Sequence, residues 1–272
     1  MSDYKEKIRN MTWSYSRITA YDHCPYSFYL KYIIADDDMY LAESNFYAES
    51  GSYVHSILEK VLKGELSEEN AAQYYLDHYD DNIFYKTRQN IMEKNFELCE
   101  DYLCNLDFDW LKDFEILGVE KEIHVVLKDE NGNEYPFIGY IDLAVRHKET
   151  RKIYIIDHKS SSYPFKRDGK TVLKKSESDF TKYKMQMYLY AKAIFEEYGE
   201  YPEKLIWNHF KDQKVAVIPF DKDEYDKAIQ WFIDKIHEIE NDDEFEARCD
   251  FFYCNNLCDF RASCEYNERG TD

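Results

Sequence analysis

Two stretches rich in β-branched residues, Ile116 to Leu127 and Phe137 to Val145, stand either side of Asp129-Glu-Asn-Gly-Asn133. That arrangement predicts a β-hairpin, because Asn-Gly readily takes the backbone angles a tight turn demands. A third run, Ile153 to Asp157, follows the polar turn around Lys148 to Arg151. Three consecutive strands make a sheet with two faces to cover, and the flanking sequence supplies helices. Upstream, Ser14 and Ser16 precede Ile18, Tyr21, Phe28, Tyr29 and Tyr32, which predicts a short helical lead-in interrupted at Pro25. Val54, Ile57, Leu58, Val61 and Leu62 keep the helical period after Gly51 and stop near Gly64. From Leu66 to about Asp113 the pattern stays helical and polar. Downstream, Phe180 to Tyr198 reads as a long helix, Leu205 to Phe210 and Val215 to Phe220 as strands, and Tyr225 to Ile239 as a last helix. The expected fold is α/β, a mixed β-sheet flanked by helices. One domain is expected over 1–272: an N-terminal segment 1–50, a helical insertion 64–113, a core 114–240 and a C-terminal segment 241–272.

At 272 residues and 44% hydrophobic, the chain has enough apolar surface for one sizeable core. No run of about 18 apolar residues occurs and the first ten residues are charged, so a soluble, cytoplasmic protein with no membrane partner is expected. The cysteines at 24, 99, 104, 249, 254, 258 and 264 are then better read as thiols or metal ligands than as disulfides. A net charge of −20 argues against a generally basic nucleic-acid-binding surface, since the field of the whole molecule repels phosphate. It leaves room for a local basic patch. Lys166, Arg167, Lys170, Lys174 and Lys175, with Lys182 and Lys184 beyond, form one, either a phosphate grip or a solvated loop. The 26 tyrosines are mostly core by this reading, with base stacking as the alternative.

The strands carry chemistry. Gly139-Tyr-Ile-Asp142 lies on the second strand and Ile155-Ile-Asp157-His-Lys159 ends the third. If the intervening hairpin turns symmetrically about Glu149 and Thr150, Asp142 sits opposite Asp157, with Cβ atoms about 4.5–5.5 Å apart. Two carboxylates so placed repel unless a cation joins them, and a divalent metal is the natural partner. Lys159 falls on the same face as Asp157, while His158 points away. Metal ligands beside an ammonium suit the activation of water and the stabilisation of charge on a phosphate. Glu120 and Glu122, two apart on the first strand, are expected on one face, either near the metals or solvent-facing. Read from the residues alone, Asp142 and Asp157 remain open to being solvated strand-end acids, and His55 to being a packed helix histidine.

The set His55, Gly139-Tyr-Ile-Asp142, Asp157-His-Lys159 and Gln186-Met-Tyr-Leu-Tyr190 resembles the motif series of the RecB-like branch of the PD-(D/E)XK nucleases, in family order over about residues 51 to 190. Asp157 stands where many members have glutamate. The resemblance implies a restriction-endonuclease-like core in which His55, Asp142, Asp157 and the His158 backbone carbonyl hold Mg²⁺ or Mn²⁺. It further implies that Lys159 orients the nucleophilic water and that Gln186 and Tyr190 support the site or contact DNA.

The tail Cys254-Asn-Asn-Leu-Cys258-Asp-Phe-Arg-Ala-Ser-Cys264 and the distant Tyr21-Asp-His-Cys24-Pro-Tyr resemble the iron–sulfur staple of AddB-type nucleases and the CRISPR-adaptation exonucleases. The resemblance implies a [4Fe-4S] cluster on Cys24, Cys254, Cys258 and Cys264 joining the N- and C-terminal segments. Structural Zn²⁺ is the alternative. The spacing departs from the family, because Cys254 and Cys258 enclose three residues where two are usual, so Cys249 is a substitute for Cys254. Cys99 and Cys104 read as unliganded thiols. The implied function is a metal-dependent DNA exonuclease on single strands or ends, in recombination, repair, phage DNA metabolism or CRISPR adaptation, with a protein partner from such a pathway. A catalytically silent DNA-binding or interaction module of the same fold is the rival.

Overall fold

The computed structural model of the protein describes residues 3–34 and 42–267. Its helices are α1 (Asp3–Arg9), α2 (Tyr15–His23), α3 (Pro25–Phe28), α4 (Phe46–Leu62), α5 (Glu68–Asp77), α6 (Tyr79–Asn82), α7 (Gln89–Cys104), α8 (Glu177–Tyr198), α9 (Lys222–Asn241) and α10 (Phe251–Asn256). The strands are β1 (Phe114–Lys128), β2 (Glu134–His147), β3 (Ile153–Lys159), β4 (Lys204–His209) and β5 (Lys214–Pro219), in one sheet of order β1-β2-β3-β4-β5. The sheet is mixed, since β3 pairs in parallel with β4 while β2–β3 and β4–β5 are antiparallel. A parallel pair needs a crossover, and α8 lies between those two strands in the chain. No described helix is long and apolar enough to cross a membrane.

The chain forms two compact units, one of Met1–Ala48, His124–Ile138 and Gln230–Asp272, the other of Glu49–Ile123 and Gly139–Ile229. In the first, the Ser14 side chain caps α2 by accepting from Arg17 N, and the chain breaks at Cys24 before Pro25 opens α3. Tyr21, Phe28 and Phe245 pack ring against ring, with Tyr21 edge-on to Phe28 at 5.7 Å between centroids. Phe137 meets Phe232 in the same edge-on manner at 5.4 Å.

In the second unit, Ile155, Leu205 and Trp207 are fully buried on the strands, as are Met187, Ala191 and Ile194 on α8. Phe180 of α8 meets Trp207 of β4 at 5.0 Å, which fixes the helix over that face. The other face carries Leu143, Val145 and Ile156, covered by Leu62, Leu111, Phe114 and Val119. Helix α4 begins at Phe46, earlier than the hydrophobic period indicates, because Asn45 Oδ1 accepts from Ala48 N at 3.0 Å and starts the helix there. Gly51 therefore lies inside the helix. A Cβ on it would stand 3.4 Å from Ser160 Oγ, just past the end of β3.

Candidate active site

The β2–β3 register runs from Arg146↔Ile153 to Leu143↔Ile156, and one step further along the ladder are Asp142 and Asp157. The symmetric turn about Glu149 and Thr150 is thus the one adopted. Asp142 Oδ2 accepts a hydrogen bond of 2.6 Å from the His158 backbone N–H and lies 3.5 Å from Nδ1 of His55 on α4. His55, Glu120 and Asp142 each offer a ligand atom within 4.8 Å of the others, the one such group of His, Cys, Asp or Glu among the described residues.

Glu120 joins this group from a left-handed backbone position, with φ of 47°. Glu120 and Glu122, expected on one face by their even spacing, have different surroundings. Glu120 is half-buried beside Asp142, whereas Glu122 is exposed and accepts from the Tyr140 hydroxyl at 2.8 Å. Burial, and then the charges of Asp142 and Glu59, push the Glu120 carboxyl up to about 7. Two carboxylates and an imidazole in one cluster form a donor set fit for a divalent cation, which would relieve that repulsion.

Asp157 and Lys159 stand next to this group as a pair. Asp157 is buried, and its Oδ2 lies 2.7 Å from Lys159 Nζ. Burial pushes the Asp157 carboxyl up against the pull of Lys159, with Asp142 adding to the rise. Burial works against the Lys159 ammonium too, yet Asp157 and Asp142 hold it above the ordinary lysine range. Lys159 Nζ also donates to Gln186 Oε1 at 3.0 Å and sits 4.7 Å from the centre of the Tyr183 ring. Gln186 Nε2 in turn donates to Tyr190 Oη at 2.8 Å. The side chains of Gln186 and Tyr190, four apart on α8, therefore form a chain that ends on the lysine. Gly139 makes room for it, since a Cβ there would fall 2.9 Å from Tyr190 Cε1.

The sequence profile of the PD-(D/E)XK nuclease superfamily matches residues 12–265. The chain belongs to that superfamily. Membership implies a metal-dependent nuclease that binds DNA, on a fold that agrees with the five-stranded mixed sheet and its flanking helices. Among curated proteins no relative matches the chain.

His158 contributes its backbone, not its ring, to the site of this PD-(D/E)XK protein. The imidazole is buried on the opposite face, where Asn208 Nδ2 lies 3.0 Å from its Nδ1. Burial, and then His55, lower its pKa to about 3, so it is neutral. The pairing partner Asn208 is invisible to motif reading because the parallel β3–β4 register, His158↔Asn208, joins residues fifty apart in the chain.

The five basic residues Lys166, Arg167, Lys170, Lys174 and Lys175 are all exposed. Lys166, Arg167 and Lys170 ride on a small hairpin in which Phe165 bridges Val172 and Lys166 N donates to Thr171 O at 2.7 Å, and Lys174 and Lys175 follow on a single 3₁₀ turn, Lys174–Ser176. Asp168 ties the turn by accepting from Lys170 N, Thr171 N and Thr171 Oγ1, and these bonds hold its carboxyl down at about 2.

In the first unit, Cys24, Cys249, Cys254, Cys258 and Cys264 line one small pocket, all as free thiols. Burial raises the thiols of Cys254, Cys258 and Cys264, with neighbouring cysteines adding to the rise, and Cys258 reaches about 11. No three of these sulfurs come within 4.8 Å of one another among the described residues. Cys99 is buried and Cys104 exposed, both on α7 in the second unit.

Proposed function

We infer that the protein is a Mg²⁺- or Mn²⁺-dependent deoxyribonuclease of the RecB-like branch, cutting single strands or DNA ends. The observation that carries this is the convergence of His55, Glu120 and Asp142 within 4.8 Å, beside the Asp157–Lys159 pair. His55, Asp142 and Glu120 are the residues to hold the metal, with Asp157 and the His158 carbonyl completing the set in the family manner. A bound divalent ion supplies Lewis acidity toward a phosphate oxygen and lowers the pKa of water. Lys159, kept charged by Asp157 and aimed by Gln186, offers its ammonium to the developing charge on the attacked phosphate. Tyr190 fixes Gln186, so Gln186 and Tyr190 position Lys159. Lys166, Arg167, Lys170, Lys174 and Lys175 grip backbone phosphates without reading sequence.

The cysteine pocket supports a [4Fe-4S] cluster on Cys24, Cys254 or Cys249, Cys258 and Cys264. Structural Zn²⁺ on the same thiols is the alternative.

Purified protein incubated with end-labelled linear and with circular single-stranded DNA, in Mn²⁺ or in EDTA, tests the reading. Mn²⁺-dependent loss of the linear substrate with the circle intact is the expected result. Loss of the circle would make it an endonuclease, and no cleavage of either would favour a DNA-binding module without chemistry.

A further inference from the structure

Just past Lys159 at the end of β3, the chain forms a pocket of about 200 Å³. Ser161, Ser162 and Pro164 make one wall, and Lys175, Ser176, Asp179, Phe180 and Tyr183, on the approach to α8 and its first two turns, make the other. Backbone hydrogen bonds tie the walls together, since Leu173 N donates to Pro164 O at 2.7 Å and Ser176 N to Leu173 O at 2.8 Å. Phe180 meets Phe165 and Trp207 edge-on, each at 5.0 Å, and so is fixed in place.

Charge and size narrow the occupant. Lys175 and Asp179 bring one cation and one anion, so the pocket as a whole does not select a phosphate. Its volume is below the roughly 300–1,000 Å³ of sites for drug-sized molecules, which suits a single flat ring system. The half-buried Tyr183 supplies an aromatic face for such a ring, and the hydroxyls of Ser162 and Ser176 both donate and accept. Lys159 Nζ lies 4.7 Å from the centre of the same tyrosine ring. An occupant stacked on Tyr183 is therefore a neighbour of the phosphate that Lys159 serves.

We propose that this pocket takes one unpaired nucleobase of the substrate strand, stacked on Tyr183, from the nucleotide beside the attacked phosphate. The inference rests on the nuclease reading and deepens it. Every base has a π-face, so a tyrosine platform holds the strand without reading its sequence. A base in a duplex must leave its stack and its pair to enter, whereas a base in a single strand or a frayed end is already free. The pocket thus gives the preference for single strands and ends a physical source.

Single-stranded oligonucleotides in which one abasic nucleotide is moved stepwise through the strand test this with Mn²⁺. In the wild type, kcat/KM should fall about tenfold at one position of the abasic nucleotide and little elsewhere. Tyr183→Leu should lose about tenfold on the intact strand and nothing more at that position, while Tyr183→Phe, which keeps the stacking face, should behave as wild type. Ser162→Trp, at an exposed position, fills the pocket and should act as Tyr183→Leu does, which covers a Tyr183→Leu chain that fails to fold. A wild type indifferent to every abasic position would overturn the proposal. So would variants that keep the full abasic penalty, since Tyr183 would then serve only as packing for Lys159. If the wild type cuts no strand, the nuclease reading fails, and the same strands titrated in EDTA by fluorescence anisotropy decide the pocket. One abasic position that weakens binding about tenfold in the wild type, but not in Tyr183→Leu or Ser162→Trp, sustains it, and uniform affinity ends it.

Discussion

An ammonium as enclosed as that of Lys159, its side chain only 16% exposed, persists because Asp157 meets it at 2.7 Å and Gln186 accepts from it at 3.0 Å. Removing it strands the buried Asp157 charge, which is why the loss of one partner of such a pair costs about 3–5 kcal/mol. Lys159→Met is therefore expected to lower stability by that order in chemical denaturation and to reduce kcat by about 10²–10³-fold at saturating Mn²⁺. A variant with full turnover would remove Lys159 from the chemistry. Glu120 makes a separate prediction about pH. Its folded pKa of about 7 lies above the ordinary carboxylate value, so between roughly pH 4.5 and 7 the folded, metal-free protein holds a proton that the unfolded chain has released. The stability that proton confers is fully present at the acid end and is lost as pH rises through 7. Thermal melts in EDTA should therefore fall across that window, melts with Mn²⁺ should not, and Glu120→Gln should flatten the EDTA series. The partnership of Asp142 and Asp157 is legible because a symmetric hairpin register needs only the sequence. The left-handed backbone at Glu120 is not, since no residue type at 120 announces it.

At the scale of elements, the hydrophobic period locates α4, α8, α9 and all five strands, because each buries one face and the pattern records which. What it misses are boundaries set by polar chemistry, such as the Asn45 cap that starts α4 ahead of its apolar stripe. It also misses partnerships made by pairing at long range, such as His158 with Asn208 across the parallel β3–β4 ladder. The basic hairpin shows the same division. Its charge is plain in the sequence, but its shape comes from Asp168, which accepts three hydrogen bonds across the turn and holds Gly169 at φ of 66°. A built turn presents its cations in a fixed arrangement, which a solvated loop does not. Lys166→Glu combined with Arg167→Glu should therefore weaken single-stranded DNA binding. It should also make the slope of log Kobs against log salt shallower by about 1.4, at about 0.7 for each phosphate no longer neutralised. Fluorescence anisotropy over a salt series measures this, and an unchanged slope would return the hairpin to the status of a solvated loop.

Across the whole molecule, the cysteines tie together parts of the chain that sequence order keeps farthest apart. Cys24 and Cys264 enclose nearly the entire polypeptide, yet they share one pocket within a unit assembled from three separate stretches. Cross-linking a loop of 100 residues or more removes about 4–5 kcal/mol of unfolded-chain entropy, whatever the linking group. In a chain of this size that corresponds to a fall in melting temperature of roughly 10–15 °C when the link is lost. Cys24→Ser is the sharpest test, because no other described cysteine lies near it in sequence to take its place. Anaerobically purified Cys24→Ser should lose iron and acid-labile sulfide, melt lower by that margin, and become sensitive to proteolysis within Phe245–Asn267. Cys249→Ser and Cys254→Ser then divide the remaining question. The variant that keeps iron has lost the spare thiol, and the one that loses iron has lost the ligand. Wild-type protein containing zinc in place of iron and sulfide would keep the staple but change its chemistry. Wild-type protein that binds neither metal, and melts at the same temperature as the Cys24→Ser variant, would show that packing around Phe28 and Phe245, not a metal link, holds that unit together.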